Sequence, residues 1–86
     1  IQKANDFITP NGDGKNDYLY FKNMEQERPC SISIYDINSL KVYEHNDYQN
    51  DWDATSKGKL VPAGTYYYVL KCAKIKEMRG HTNIIR

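Results

Sequence analysis

The sequence predicts an all-β protein, an antiparallel sandwich of about seven short strands in two packed layers. Two observations carry that expectation. No stretch places apolar residues at helical spacing, and short alternating runs rich in Tyr, Ile and Val are separated by clusters of Asn, Asp, Gly and Pro.

Strands are expected near residues 5–8, 17–22, 30–36, 40–45, 65–74 and 79–86, with a further short one around 58–61. In the second run Leu19 and Phe21 share one face while Tyr18, Tyr20 and Lys22 share the other; in the third, Ile32 and Ile34 oppose Ser31, Ser33 and Tyr35. Such alternation fits antiparallel sheets with one face in water. Residues 46–51 and 54–59 read as loops from their turn-forming side chains. Pro62-Ala63-Gly64-Thr65-Tyr66 enters a long strand through a tight turn. There Tyr66 resembles the tyrosine corner of immunoglobulin-like sandwiches, whose hydroxyl bonds back to upstream backbone. Trp52 is expected in the core at the sandwich edge, its indole N–H needing one partner.

At 86 residues the chain is expected to be one domain, and a chain of this size buries only about 60 to 65% of its unfolded surface. Twelve Lys and Arg against 11 Asp and Glu leave a net charge of +1, which points to neither nucleic acid nor an anionic membrane as partner. The distribution is uneven. Residues 69–86 carry Lys71, Lys74, Lys76, Arg79 and Arg86 against Glu77 alone, net +4, and the rest is net −3. Lysines on a terminal strand discourage pairing between molecules, or they form a docking patch. No run approaches the roughly 20 apolar residues of a membrane span, and the first six residues are not a secretory signal. The chain opens on Ile1 without a methionine, so it is expected to be a fragment cut from a longer protein.

Cys30 and Cys72 are the only cysteines, too few for a disulfide framework. Cys30 shares strand parity with Ile32 and Ile34, and Cys72 with Tyr66, Tyr68 and Leu70, so both could face one core. Two states stay open: buried free thiols acting as small hydrophobes, or a disulfide closing a loop of about 40 residues and adding roughly 3 to 4 kcal/mol.

One loop, Thr9-Pro10-Asn11-Gly12-Asp13-Gly14-Lys15-Asn16-Asp17, crowds oxygen-bearing side chains and two glycines onto a turn. Asn11, Asp13, Asn16 and Asp17 are the candidate calcium ligands, and calcium is the only cofactor suggested. Tyr20 stands where an EF-hand has its bidentate glutamate, so the loop is not one; the alternative is a turn whose Asn and Asp side chains bond local backbone. Asp51 and Asp53 flank Trp52 and read better as polar caps than as a catalytic pair. His45, His81 and the cysteines lack the close spacing of zinc ligands. Without a nucleophile elbow, phosphate-cradling loop or activated cysteine motif, an enzyme is not expected.

Five segments in order resemble the gliding motility-associated C-terminal domain, the type B sorting domain of the type IX secretion system. They are the loop just described, preceded by Phe7-Ile8; Ile34-Tyr35-Asp36-Ile37-Asn38-Ser39-Leu40-Lys41-Val42-Tyr43; Tyr48-Gln49-Asn50-Asp51-Trp52-Asp53-Ala54; Val61-Pro62-Ala63-Gly64-Thr65-Tyr66-Tyr67-Tyr68-Val69-Leu70; and Gly80-His81-Thr82-Asn83-Ile84-Ile85-Arg86. Two departures stand out: Asp36-Ile37-Asn38-Ser39 replaces Asn-Arg-Trp-Gly, and Ala54 replaces a glycine.

The resemblance implies an immunoglobulin-like sandwich and a non-catalytic C-terminal signal that directs a large cargo through the type IX machinery. The implied partner is an outer-membrane protein of the PorP type, and the implied route runs via the periplasm to the cell surface or medium. Recognition is expected at the first loop and at Gly80, Ile84, Ile85 and Arg86, the terminal strand also being a potential edge for strand addition. Trp52, Gly64 and Tyr66 are expected to be structural. An alternative from another class is a calcium-dependent adhesion or carbohydrate-binding module of a surface protein. Both readings share the fold, which therefore does not separate them.

Overall fold

In the computed structural model of the chain, residues 4–10, 17–73 and 77–85 are described. They form seven strands: β1 Phe7–Ile8, β2 Cys30–Tyr35, β3 Lys41–His45, β4 Thr55–Ser56, β5 Lys59–Leu60, β6 Gly64–Cys72 and β7 Met78–Ile84. No α-helix occurs among the described residues; a single 3-10 turn spans Met24–Gln26. The all-β expectation stands.

Five strands make one sheet in the order β1-β7-β6-β2-β3, and β4 pairs with β5 in a second, two-stranded sheet. The long antiparallel β2, β6 and β7 form the centre of the larger sheet. One pairing departs from the antiparallel expectation. β1 runs parallel to β7, with Phe7 opposite Asn83 and Ile8 opposite Ile84. No hairpin turn couples two segments at opposite ends of the chain, so nothing local announces their relative direction. Asn83 N–H donates to the Asp6 carbonyl at 3.0 Å and Ile85 N–H to the Ile8 carbonyl at 2.9 Å, tying the two ends together.

Alternation places Ile32, Ile34, Tyr66, Tyr68, Leu70 and Ile84 on the inner face of the large sheet, all buried. Leu19, Phe21, Met24, Tyr48, Trp52, Ala54 and Val61 join them in one core. Aromatic edges interlock there. Phe21 meets Tyr68 edge-on with ring centres 5.0 Å apart, and Trp52 meets Tyr66 at 6.1 Å.

The strand expected over residues 17–22 does not form. Its alternation is correct, since Leu19 and Phe21 are buried while Tyr18 and Tyr20 are exposed. Among the described residues one bridge ties it to other backbone, Leu19 N–H donating to the Trp52 carbonyl at 2.9 Å. Side chains supply the other bonds, among them the Tyr48 hydroxyl, which donates to the Leu19 carbonyl, and two amides. Asn5 accepts from Tyr20 N–H and donates to the Tyr18 carbonyl, and Asn50 accepts from Phe21 N–H at 2.9 Å and donates to the Phe21 carbonyl at 3.3 Å. Each amide presents the donor and acceptor of a peptide group, so the segment is satisfied without a neighbouring strand.

The short strand expected near 58–61 is half of the β4–β5 hairpin, turned by Lys57 at φ 54° and Gly58 at φ 83°. Ser39 and Ala54 both sit at φ 67°. These are the two positions where the resembled pattern carries glycine, the residue that adopts this region without cost.

Candidate recognition surface

Of the residues expected to meet a partner that lie among the described ones, Ile85 is exposed, Asp17 and Gly80 are half-buried and Ile84 is buried. Ile84 is a core residue, 2% exposed, whereas Ile85 beside it is 48% exposed. Gly80 faces inward beneath Tyr68: a Cβ built on it would collide with the phenol hydroxyl and ring. Its bare backbone is a packing requirement, and the space it leaves lets Tyr68 Oη accept from the buried Ala4 N–H at 3.2 Å. Arg86 lies outside the described residues. Nor is β7 an open edge along its whole length, because β1 covers Asn83 and Ile84. The sheet's outer strands are β1 and β3.

Trp52 is buried and its indole Nε1–H donates to the Thr55 carbonyl at 2.9 Å. Tyr66 donates its hydroxyl to the Pro62 carbonyl at 2.6 Å, the bond of a tyrosine corner. Gly64 opens β6 at φ 143°, a conformation costly for a residue with a Cβ. Cys30 and Cys72 stand opposite each other across β2 and β6 and are joined in a disulfide. With both thiols consumed, no zinc site with His45 and His81 can use them.

Asn11, Asp13 and Asn16 of the expected calcium loop lie outside the described residues; Asp17 closes that loop within them. Among the described residues no group of three or more His, Cys, Asp or Glu side chains is arranged to hold a metal ion.

Sequence reasoning missed the work of Tyr48 and Asn50. Tyr48 is fully buried; its hydroxyl donates to the Leu19 carbonyl at 2.6 Å and accepts from Trp52 N–H at 3.0 Å. Together with Asn50 it clamps residues 19–21 onto the core. The alternate spacing Tyr48-x-Asn50-x-Trp52 was the signal available, since it places all three on one side of an extended segment. Burial holds the Tyr48 phenol well above its usual range, with Asp51 adding to the effect. Tyr43 is raised too, by burial and then by Asp51 and Asp53.

The basic end of the chain is partly neutralised. Glu77 pairs with Arg79 and with Lys71 Nζ at 3.6 Å. The hydrogen bond from Arg79 is the main cause that holds the Glu77 carboxyl below its ordinary value.

Over the outward face of β2 and β6 lies a basin of about 790 Å³, floored by the small side chains Ser31, Ser33 and Val69. Tyr35, Tyr67 and His81 bound one end, and Lys71, Glu77 and Arg79 the other.

No curated protein matches the chain. A solved structure with a similar fold is PorZ, an essential bacterial surface component of the type-IX secretion system of human oral-microbiomic Porphyromonas gingivalis. The likeness has a TM-score of 0.54 at 22% identity and covers 67% of this chain but 8% of the PorZ chain. It supports the fold. The family of CHU_C type IX secretion signal domains matches residues 2–85, a span that contains every strand of both sheets. The chain therefore belongs to the CHU_C family of type IX secretion signal domains, sorting signals for export by that system.

Proposed function

We propose that this domain is a non-catalytic address read as a folded surface, which brings an attached cargo to a PorP-type outer-membrane partner and so to the cell surface or medium. The observation that carries the reading is the tie between the two ends of the domain. Thr82 Oγ1 donates to the Asn5 carbonyl at 3.0 Å, and β7 then pairs along β1. A terminal strand embedded this way is unavailable as a linear tag. What remains for a partner is the surface around it, with Ile85 and Phe7 the exposed apolar side chains at that end. The first loop, residues 11–17, is proposed as a second contact, with calcium as the ion its oxygen-bearing side chains would hold.

The test is export of a fluorescent protein carrying a signal peptide and residues 1–86, in a gliding host with and without type IX secretion and with and without the cognate PorP-type protein. Fluorescence outside only when both are present is the expected result. Retention under every combination, with the domain folded, would sink the proposal. Two variants separate surface from fold: Ile84→Ser is expected to lose export by unfolding, and Ile85→Ser to lose it while staying folded.

A further inference from the structure

We infer that the basin on the outward face of the large sheet binds a neutral oligosaccharide, independently of calcium and of the export role. Four hydroxyl-bearing side chains line it, Ser31 and Ser33 on the floor and Tyr35 and Tyr67 on the wall. None of the four has a hydrogen-bond partner among the described residues, whereas the hydroxyls of Tyr48, Tyr66, Thr65 and Thr82 elsewhere in the fold are all engaged.

Charge on the rim is partly paired. Lys71 and Arg79 pair with Glu77, and Glu44 pairs with Lys41 at 3.3 Å. Asp36 is occupied by the backbone N–H groups of Asn38 and Leu40. An anionic or cationic ligand would have to break these pairs, while a ligand of hydroxyls and apolar C–H faces would not.

Shape agrees with that chemistry. Tyr67 is 47% exposed, lines the basin and stands beside His81, their ring centres 6.4 Å apart, so aromatic surface is available there. Apolar ring faces beside a few oriented polar groups are the usual make-up of a small-ligand site, and the basin's volume lies within the range of about 300 to 1,000 Å³ such sites occupy. A peptide strand is a poorer occupant, because the face of a sheet offers no free backbone groups to pair with it.

The experiment is amide NMR of the whole domain titrated with maltotriose, cellotriose and triacetylchitotriose in the presence of a chelator, with trigalacturonate as the charged control. At least one neutral trisaccharide is expected to cause saturable shifts at Ser31, Ser33 and Val69 that do not change with salt. Ser33→Arg fills the floor and Tyr67→Ala removes the stacking face; either substitution should weaken binding at least about tenfold, a loss of roughly 1.4 kcal/mol, while core amide shifts stay in place. No saturable shift with any neutral probe, shifts that survive both substitutions, or tighter binding of trigalacturonate would each overturn the inference.

Discussion

The hydroxyl of Tyr68 lies over Gly80, in the space where any other residue at that position would carry its Cβ. The two residues face each other across β6 and β7. Overpacking a closed core forces side chains off their rotamers at a cost of about 1 to 3 kcal/mol. Gly80→Ala is therefore expected to lower unfolding free energy by about that amount in urea titration. If the alanine variant matched the parent, the packing account of this glycine would be wrong.

Asn50 bonds both backbone groups of Phe21 and sits at φ 59°, which asparagine tolerates better than most residues. Asn50→Ala removes both bonds and leaves the Phe21 groups part-buried, an expected loss of about 2 to 3 kcal/mol. Asn50→Asp keeps the acceptor for Phe21 N–H and should lose less. Thermal unfolding of both variants gives the order.

The disulfide links residues 42 apart. By chain entropy alone a closed loop of that length is worth about 4 kcal/mol. Reduction, or Cys30→Ser with Cys72→Ser, should lower the urea midpoint accordingly with the same native amide dispersion. An unchanged midpoint would mean that the reduced chain gains no freedom on unfolding.

Tyr48 keeps its proton in the folded state well beyond the pH at which it would lose it unfolded. The unfolded phenol titrates near pH 10. Below that pH both states are protonated and the stabilisation is fully present; above it the unfolded chain binds fewer protons, so stability falls as pH rises. The expected slope is about 1.4 kcal/mol per pH unit for this one group. Tyr48→Phe should lower stability at pH 7 by leaving the Leu19 carbonyl and Trp52 N–H unmatched, and should flatten the alkaline slope. An equal slope in the variant would place the effect on Tyr43 or another group.

Much of this fold was legible because burial imposes a period of two. Ile32 and Ile34, and Tyr66, Tyr68 and Leu70, could be assigned inward from parity within each strand, and the same count let Cys30 and Cys72 face one core; the β2–β6 register that sets them opposite each other was not legible there. Turn chemistry marked the tight entry at Pro62 to Tyr66 and a short strand near 58–61, but its partner β4 lies within residues 54–59, read as a loop because two residues are too few to show alternation. The sequence by itself thus determined an all-β chain, its inward residues and its signal-domain pattern, since each depends on neighbours two to ten positions away.

Tertiary structure decided the rest. The parallel pairing of β1 with β7 joins residues at opposite ends of the chain, and no local turn encodes it. Asn5 and Asn50 replaced a strand partner for residues 18–21, because a side-chain amide can satisfy backbone groups that are remote in sequence. Ile84 and Gly80, expected at a recognition surface from their place in a terminal motif, proved to be core and packing residues. Motif membership marks a position as constrained; only the folded neighbourhood, here Tyr68 above Gly80 and the core around Ile84, shows what constrains it.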